Sequence, residues 1–252
     1  HPKVNLVSVT VTPGSLHQIG LVKHVLKLLN KDIPVGSKNK EHPIECVSHF
    51  HYKWLGNIAP QQPDGIGVDI LESALVKYPD LTIVCGASLG NIGALLDKDV
   101  SLSRIVVQGG FAGDNVVPAE FVLDKFRGKI TCPTFNLNGD VPSALKVVSS
   151  SKIKEKIFVS KNVCHGVVYD ESMHNFMKPF RNLNPGLSLL VDGMEFYLKN
   201  HGGIAFHDPL AACVTIDPSI VQLERVELYR EKGVCDVRFS DTSNVTISVN
   251  VN

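Results

Sequence analysis

The sequence predicts an α/β protein: a mostly parallel β-sheet flanked by helices in three layers. Three observations carry this expectation. Between residues 68 and 108 a helical pattern, an apolar run, a second helical pattern and a second apolar run follow one another. Strand, helix, strand in that rhythm joins parallel neighbours through right-handed crossovers and leaves the helices outside. Helical segments elsewhere commit one apolar face to a core. The chain, 252 residues with 44% apolar side chains, is long enough to bury a sizeable interior.

The elements follow in order. Residues 4–11 read as a buried strand, and Pro13, Gly14 and Ser15 as a turn with Ser15 as N-cap. Leu16, Ile19, Val22, Leu26 and Leu29 then recur at helical spacing. A short strand is expected at 33–36. Residues 42–67, rich in His, Pro and Gln, form the longest irregular stretch, of the kind that often serves as a lid. Helix 68–78, strand 81–85, helix 91–96 and strand 104–108 build the alternation, and residues 109–134 make a second long loop. Beyond it the pattern gives helix 141–148, strand 156–159, helices 187–199 and 208–214, and alternating runs 221–229 and 245–251 in the manner of strands near a sheet edge. No internal repeat or low-complexity segment interrupts the chain.

Composition excludes several classes. Lys and Arg number 25, as do Asp and Glu, so no bulk charge draws a polyanion, and no basic stripe interleaved with aromatics suggests nucleic-acid binding. No apolar run approaches the roughly 18 residues that cross a bilayer, and no basic-then-apolar stretch at the start looks like a signal peptide, so a soluble protein is the expectation. Cys46, Cys85, Cys132, Cys164, Cys213 and Cys235 form no C-x-x-C pair, which fits reduced thiols in a cytoplasmic protein. The chain opens on His1 beside a strand-like run and closes on Asn252 inside an alternating one, so the expected organisation is a single domain over 1–252, truncated at both ends.

In parallel sheets, ligands sit where loops gather at the carboxyl ends of strands. Those loops carry the candidate chemistry. In the block Phe206-His207-Asp208-Pro209-Leu210-Ala211-Ala212, Asp before Pro and an apolar helix is first an N-cap pattern. Its functional reading aims the Asp208 carboxylate at a hard cation and lets His207 donate a proton to a leaving group. This block resembles the H-D-P-x-A-x signature of the inosine-uridine-type nucleoside hydrolases. The resemblance implies a Rossmann-like nucleoside hydrolase fold, His207 as the acid that protonates the departing base, and Asp208 as a Ca2+ ligand.

Three further blocks are similar to the same family. Phe135-Asn136-Leu137-Asn138-Gly139-Asp140 resembles its E-F-N-x-x-x-D-P run, which implies a ribose contact for Asn136 and an N-cap for Asp140. Thr134 stands where that pattern has Glu, and Glu120 is the alternative ribose contact. Residues 104–115 resemble a strand followed by Gly-Gly and a loop ending in Gly-Asn, implying a ribose contact for Asn115. Residues 85–91 resemble a turn whose backbone carbonyl binds calcium, by position that of Gly86, with Asn91 capping the next helix. His49 and His51 lack a third ligand at zinc spacing; the resemblance makes His51 a contact to the base. Residues 162–165 match a strand end of no assigned role, and Tyr229 is an aromatic candidate for stacking. The family's N-terminal D-x-D-x-G-x-D-D motif is absent from the sequence, whose first residues resemble the family's second strand.

The resemblance implies a Ca2+-dependent N-ribohydrolase of purine or pyrimidine salvage that takes a small nucleoside, with a homo-oligomer possible. Without the acidic motif, this polypeptide is expected to hydrolyse nucleosides poorly or not at all, and the complete gene product to be active. The rival reading is a pseudoenzyme that holds a nucleoside or sugar without cutting it.

Overall fold

A computed structural model of the chain describes residues 1–38, 45–231 and 233–252. Its contacts divide into two compact units, one of residues 1–5, 72–167 and 206–252, the other of residues 6–71 and 168–205.

The second unit opens on β1 (Val9–Val11), α1 (Leu16–Leu28) and β2 (Val35–Ser37). Ser15 caps α1 as expected: its hydroxyl accepts from the Gln18 amide while the Gln18 side chain reaches back to the Ser15 amide, two orphan donors satisfied reciprocally. The apolar stripe of α1 buries Ile19 and Leu26 against Val35, with Val9, Val11, Val22 and Ile33 around them. Only three residues of the expected strand 4–11 pair, through the parallel β1–β2 register that begins at Val9 and Val35. Part of the irregular stretch 42–67, residues 42–44, lies outside the described residues; the rest holds α2 (His49–Leu55) and β3 (Gly65–Ile66), which adds a third parallel strand to β2. Helix α3 (Gly67–Lys77) then leads from this unit into the other.

The first unit is organised by a six-stranded sheet. Its strands are β4 (Thr82–Cys85), β5 (Leu102–Gln108), β6 (Ile153–Val159), β9 (Val221–Glu231), β10 (Val234–Phe239) and β11 (Val245–Val251), in the order β10-β9-β11-β6-β5-β4. The pairings β4–β5, β5–β6 and β6–β11 are parallel, and the β9 and β10 pairings antiparallel. Strand alternation sends Val106, Ile157 and Val159 to one face, where they pack with Leu210, Ala211 and Val214 of α10 (His207–Ile216) and Val163 of α7 (Lys161–Cys164). On the opposite face the Lys156 ammonium donates to Val148 O in α6 (Val141–Ser149), and α6 packs on α4 (Gly90–Leu96). Helices therefore cover both faces, which is the three-layer α/β arrangement the sequence predicts.

Two expectations need correction. The run 245–251 is not near the edge: β11 sits between β6 and β9, with Val245, Ile247, Ser248 and Val249 all buried. The edge belongs to β10, which the sequence reading did not anticipate because its Asp and Arg break the apolar alternation. Short helices α5 (Phe135–Asn138), α7 and α8 (Glu171–Met177) were likewise not expected, nor the hairpin of β7 (Val168–Tyr169) with β8 (Ile204–Ala205). The pieces α5, α7, β7 and β8, of two to four residues, are too short to display a period. Helix α9 (Pro185–Leu198) begins with an Asn184 cap and Pro185, two residues ahead of the expected start.

Candidate active site

The loops at the carboxyl ends of β4, β5 and β6 and the start of α10 meet within the first unit. Strand β5 ends at Gln108, and Gly109 and Gly110, with φ of 152° and 79°, turn the chain through conformations that favour glycine. The Gly110 amide donates to Thr134 Oγ1 (3.3 Å), which fixes the entry to α5. One turn on, Asn136 is buried and its Nδ2 donates to both Gln108 O (2.8 Å) and Gln108 Oε1 (2.9 Å). The Gln108 amide in turn reaches Cys164 Sγ (3.7 Å), whose thiol faces the carbonyl of His207 (3.8 Å). A continuous polar bridge thus ties Asn136 to His207 through two residues the sequence reading had not assigned. Gln108 was detectable as a polar side chain closing an apolar strand.

Asp208 does not do what its sequence context suggests. Helix α10 starts at His207 with Phe206 in the cap position and no side-chain cap bond, so Asp208 is the second helical residue. Its carboxylate lies against Gly86 instead, where an added Cβ would sit 2.8 Å from Cγ and 2.9 Å from Oδ1. The carboxylate is open to solvent on its other side, and the positive end of the helix favours its charge. Burial against the protein raises the Asp208 pKa, opposed by the neighbouring imidazole of His207.

His207 Nε2 is buried and has no hydrogen-bond partner among the described residues. Burial lowers the His207 pKa, Asp208 raises it, and Lys125 and Lys161 lower it further. The ring of His165 lies 4.8 Å from that of His207, and Phe126 meets His165 edge-on at 5.4 Å. Lys125 Nζ donates to His165 Nδ1 (2.7 Å), which makes Nδ1 an acceptor and leaves the proton on Nε2. Burial, with Lys125 next, depresses the His165 pKa to about 4, so this ring is neutral at pH 7. His165 was noticed in the sequence without a role, and Lys125 was missed because a lysine in a loop has no local signature.

Other candidates occupy varied settings. Asn115 Nδ2 donates to Val237 O of β10 (2.7 Å), while its Oδ1 is buried with no partner among the described residues. Glu120 is exposed on a 3-10 turn, Ala119–Phe121, whereas Thr134 is buried two residues before Asn136. Asp140 is the N-cap of α6, its Oδ1 accepting from Ser143 N. Asn91 is not a cap: α4 starts at Gly90 behind Leu89, and Asn91 is buried inside its first turn. Tyr229 carries the Arg238 guanidinium over its ring. His51 belongs to the other unit, on α2 rather than in a loop, with Nδ1 bonded to Ser48 Oγ (3.0 Å).

As a cation site the cluster is partial. Asp208 is a hard oxygen donor, and its carboxylate occupies the space that a side chain at Gly86 would fill. Among the described residues no group of three or more His, Cys, Asp or Glu is placed to hold a metal ion, and calcium takes roughly six to eight oxygens. Asp208 with the backbone at Gly86 would therefore supply part of a coordination shell.

Comparison with known proteins establishes the fold and the family. A plant nucleoside hydrolase superimposes with a TM-score of 0.70 at 17% identity, over 98% of this chain and 94% of its own. A purine-preferring ribonucleoside hydrolase from Gardnerella vaginalis gives 0.69 at 18%, over 100% and 87%, and an inosine-uridine preferring nucleoside hydrolase from Bacillus anthracis gives 0.68 at 13%, over 98% and 85%. At these identities the likeness establishes the fold. An uncharacterised protein of Aquifex aeolicus (strain VF5) is 29% identical over 171 residues, which span 67% of this chain but only 58% of that relative. The family model described as inosine-uridine preferring nucleoside hydrolase matches residues 1–252, and the chain belongs to this family.

Proposed function

We propose that the protein hydrolyses the N-glycosidic bond of ribonucleosides in a Ca2+-dependent reaction, releasing base and ribose. One observation carries the reading: His207 Nε2 is buried with no partner among the described residues, next to Asp208 and its contact with Gly86, and the His207 carbonyl is tied through Cys164 and Gln108 to Asn136. An imidazole in that position can donate a proton to the nitrogen of a departing base, an assistance worth typically about 10²–10⁴-fold. Asn136, held by Gln108, would orient the ribose, with Asn115 and Glu120 as further contacts. A calcium ion held in part by Asp208 and Gly86 would supply charge to fix the sugar diol and acidify water. The helix dipole and the helical position of Asp208 keep its carboxylate facing Gly86 without a bond to its own backbone. The six free thiols are consistent with a cytoplasmic salvage enzyme, and no described helix is long and apolar enough to cross a membrane.

The test is cleavage of inosine and uridine by the wild type and His207→Ala, with added calcium and with chelator. The expected result is calcium-dependent release of base that falls about 10²–10⁴-fold in the variant. Equal rates for both proteins, or no cleavage of any ribonucleoside by an N-terminally extended version with calcium present, would reject the assignment.

A further inference from the structure

Two ammonium groups stand at the same strand ends as His207 with no carboxylate among the described residues paired to them. Lys125, exposed on the loop after β5, rests on His165 Nδ1 at 2.7 Å. Lys161, half-buried at the start of α7, rests on Pro133 O at 2.9 Å and Cys132 Sγ at 3.3 Å. None of the three acceptors is a carboxylate. Elsewhere the fold closes lysines onto acids, as in Lys23–Asp64, Lys98–Glu72, Lys146–Asp97 and Lys152–Asp99. The segment 132–138, which carries Asn136, contains no acidic residue. Of the charged side chains that act on His165 and His207, Lys125 and Lys161 are positive and Asp208 alone is negative. Ammonium groups whose acceptors here are an imidazole, a backbone carbonyl and a cysteine sulfur are suited to a doubly charged oxyanion, which offers each of them stronger charge-assisted hydrogen bonds.

We propose that the site takes ribonucleoside 5′-monophosphates in preference to nucleosides, with Lys125 and Lys161 receiving the phosphate. The inference rests on the ribohydrolase reading above and narrows its substrate class. A phosphate on the 5′ oxygen leaves the 2′,3′-diol free for a cation and the base free for His207, so the three functions do not compete for one group. The bond cleaved is unchanged: water adds to C1′, the base leaves with a proton, and the second product is ribose 5-phosphate. The reaction class that consumes it is therefore one acting on a pentose phosphate.

Two measurements on the full chain test this. Calorimetric titration compares ribose 5-phosphate, ribose and inorganic phosphate at low and moderate ionic strength, and a rate assay compares inosine 5′-monophosphate with inosine. The expected results are roughly tenfold to hundredfold tighter binding of ribose 5-phosphate than of either ribose or inorganic phosphate, weakened by salt, and a matching preference in kcat/KM. Lys125→Met and Lys161→Met should each collapse that preference, and Lys125→Arg should restore part of it; melting curves verify that each variant is folded. Equal binding of ribose and its 5-phosphate overturns the proposal. So does inorganic phosphate binding as tightly as the sugar phosphate, which would mark a generic anion site, and so does an equal loss on inosine and its monophosphate in the lysine variants, which would assign the lysines to the departing base. Hydrolysis of inosine without a phosphate preference removes this inference alone. A phosphate preference in binding with no hydrolysis removes the ribohydrolase reading and leaves the lysine site standing.

Discussion

The Gly86 Cα lies against the Asp208 carboxylate so closely that a methyl group at position 86 would fall 2.8 Å from the carboxylate carbon. Gly86 is not among the residues of positive φ, so glycine is needed there for space and not for backbone freedom. Gly86→Ala must therefore push the carboxylate aside while the turn keeps its shape. Displacement of about 1 Å at a reacting centre costs on the order of 10²-fold. The expected outcome is a fall of that size in kcat/KM for the calcium-supported reaction, with a melting temperature close to wild type. Undiminished activity would place the carboxylate outside the chemistry.

Gln108 separates two roles that could be confused at Asn136. Its side-chain oxygen and its carbonyl both accept from Asn136 Nδ2. Gln108→Leu removes one acceptor and the link to Cys164, whereas Gln108→Glu keeps an acceptor in place. A buried donor deprived of its partner costs about 1–3 kcal/mol, reduced here because the backbone carbonyl remains. Urea unfolding should show Gln108→Leu destabilised by about 1 kcal/mol, and steady-state kinetics should show a raised KM. The glutamate variant should retain more of both properties. If the two variants bind substrate alike, the bridge does not orient Asn136.

Helices α4 and α6 meet through Gly93 and Ser143. A Cβ at position 93 would sit 2.4 Å from Ser143 Oγ and 2.6 Å from its Cβ. Alanine in a helix gains up to about 1 kcal/mol over glycine, while overpacking costs about 1–3 kcal/mol. The packing cost is the larger, and Gly93→Ala should destabilise by about 1–2 kcal/mol on these scales. Adding Ser143→Gly removes the clashing atoms, so a double-mutant cycle should return a favourable coupling of about 1 kcal/mol. Simple additivity would mean that the helices separate to absorb the methyl group.

The alternation from 68 to 108 was legible because parallel strands and their crossover helices each run long enough to show a period. The same rule explains the misses, since α5, α7 and the strand pair β7–β8 are two to four residues long. At the site, His207, Asp208 and Asn136 could be named because motif spacing survives in one dimension. The bridge through Gln108 and Cys164 could not, because its members stand 28 to 56 positions from their partners. Asp208 marks the limit of local rules: Asp-Pro before an apolar run reads as a cap, yet the helix starts one residue earlier and releases the carboxylate for another contact. Lys125 carried no signal, since its meaning comes from a histidine 40 residues away.

Lys156 gives the fold a pH dependence whose sign can be worked out. Its side chain is buried, with Nζ donating to Val148 O (2.6 Å) and Asn244 Oδ1 (3.1 Å) and no carboxylate in reach. Burial brings its pKa down to about 8, whereas an unfolded lysine titrates near 10.4. Between those values the unfolded chain binds the extra proton, so this residue makes stability rise with pH across about 8 to 10.4 and contributes no slope below that window. The buried thiols of Cys85 and Cys164, pushed up to about 11 and about 12, act oppositely, since the folded state keeps their protons while the unfolded state loses them. Comparison with Lys156→Met cancels the thiol contribution. Urea unfolding at intervals from pH 7 to 10 should give curves that diverge, the wild type gaining on the variant as pH rises. Parallel curves would mean that the ammonium is solvated in the folded protein and that its two acceptors are not its main partners.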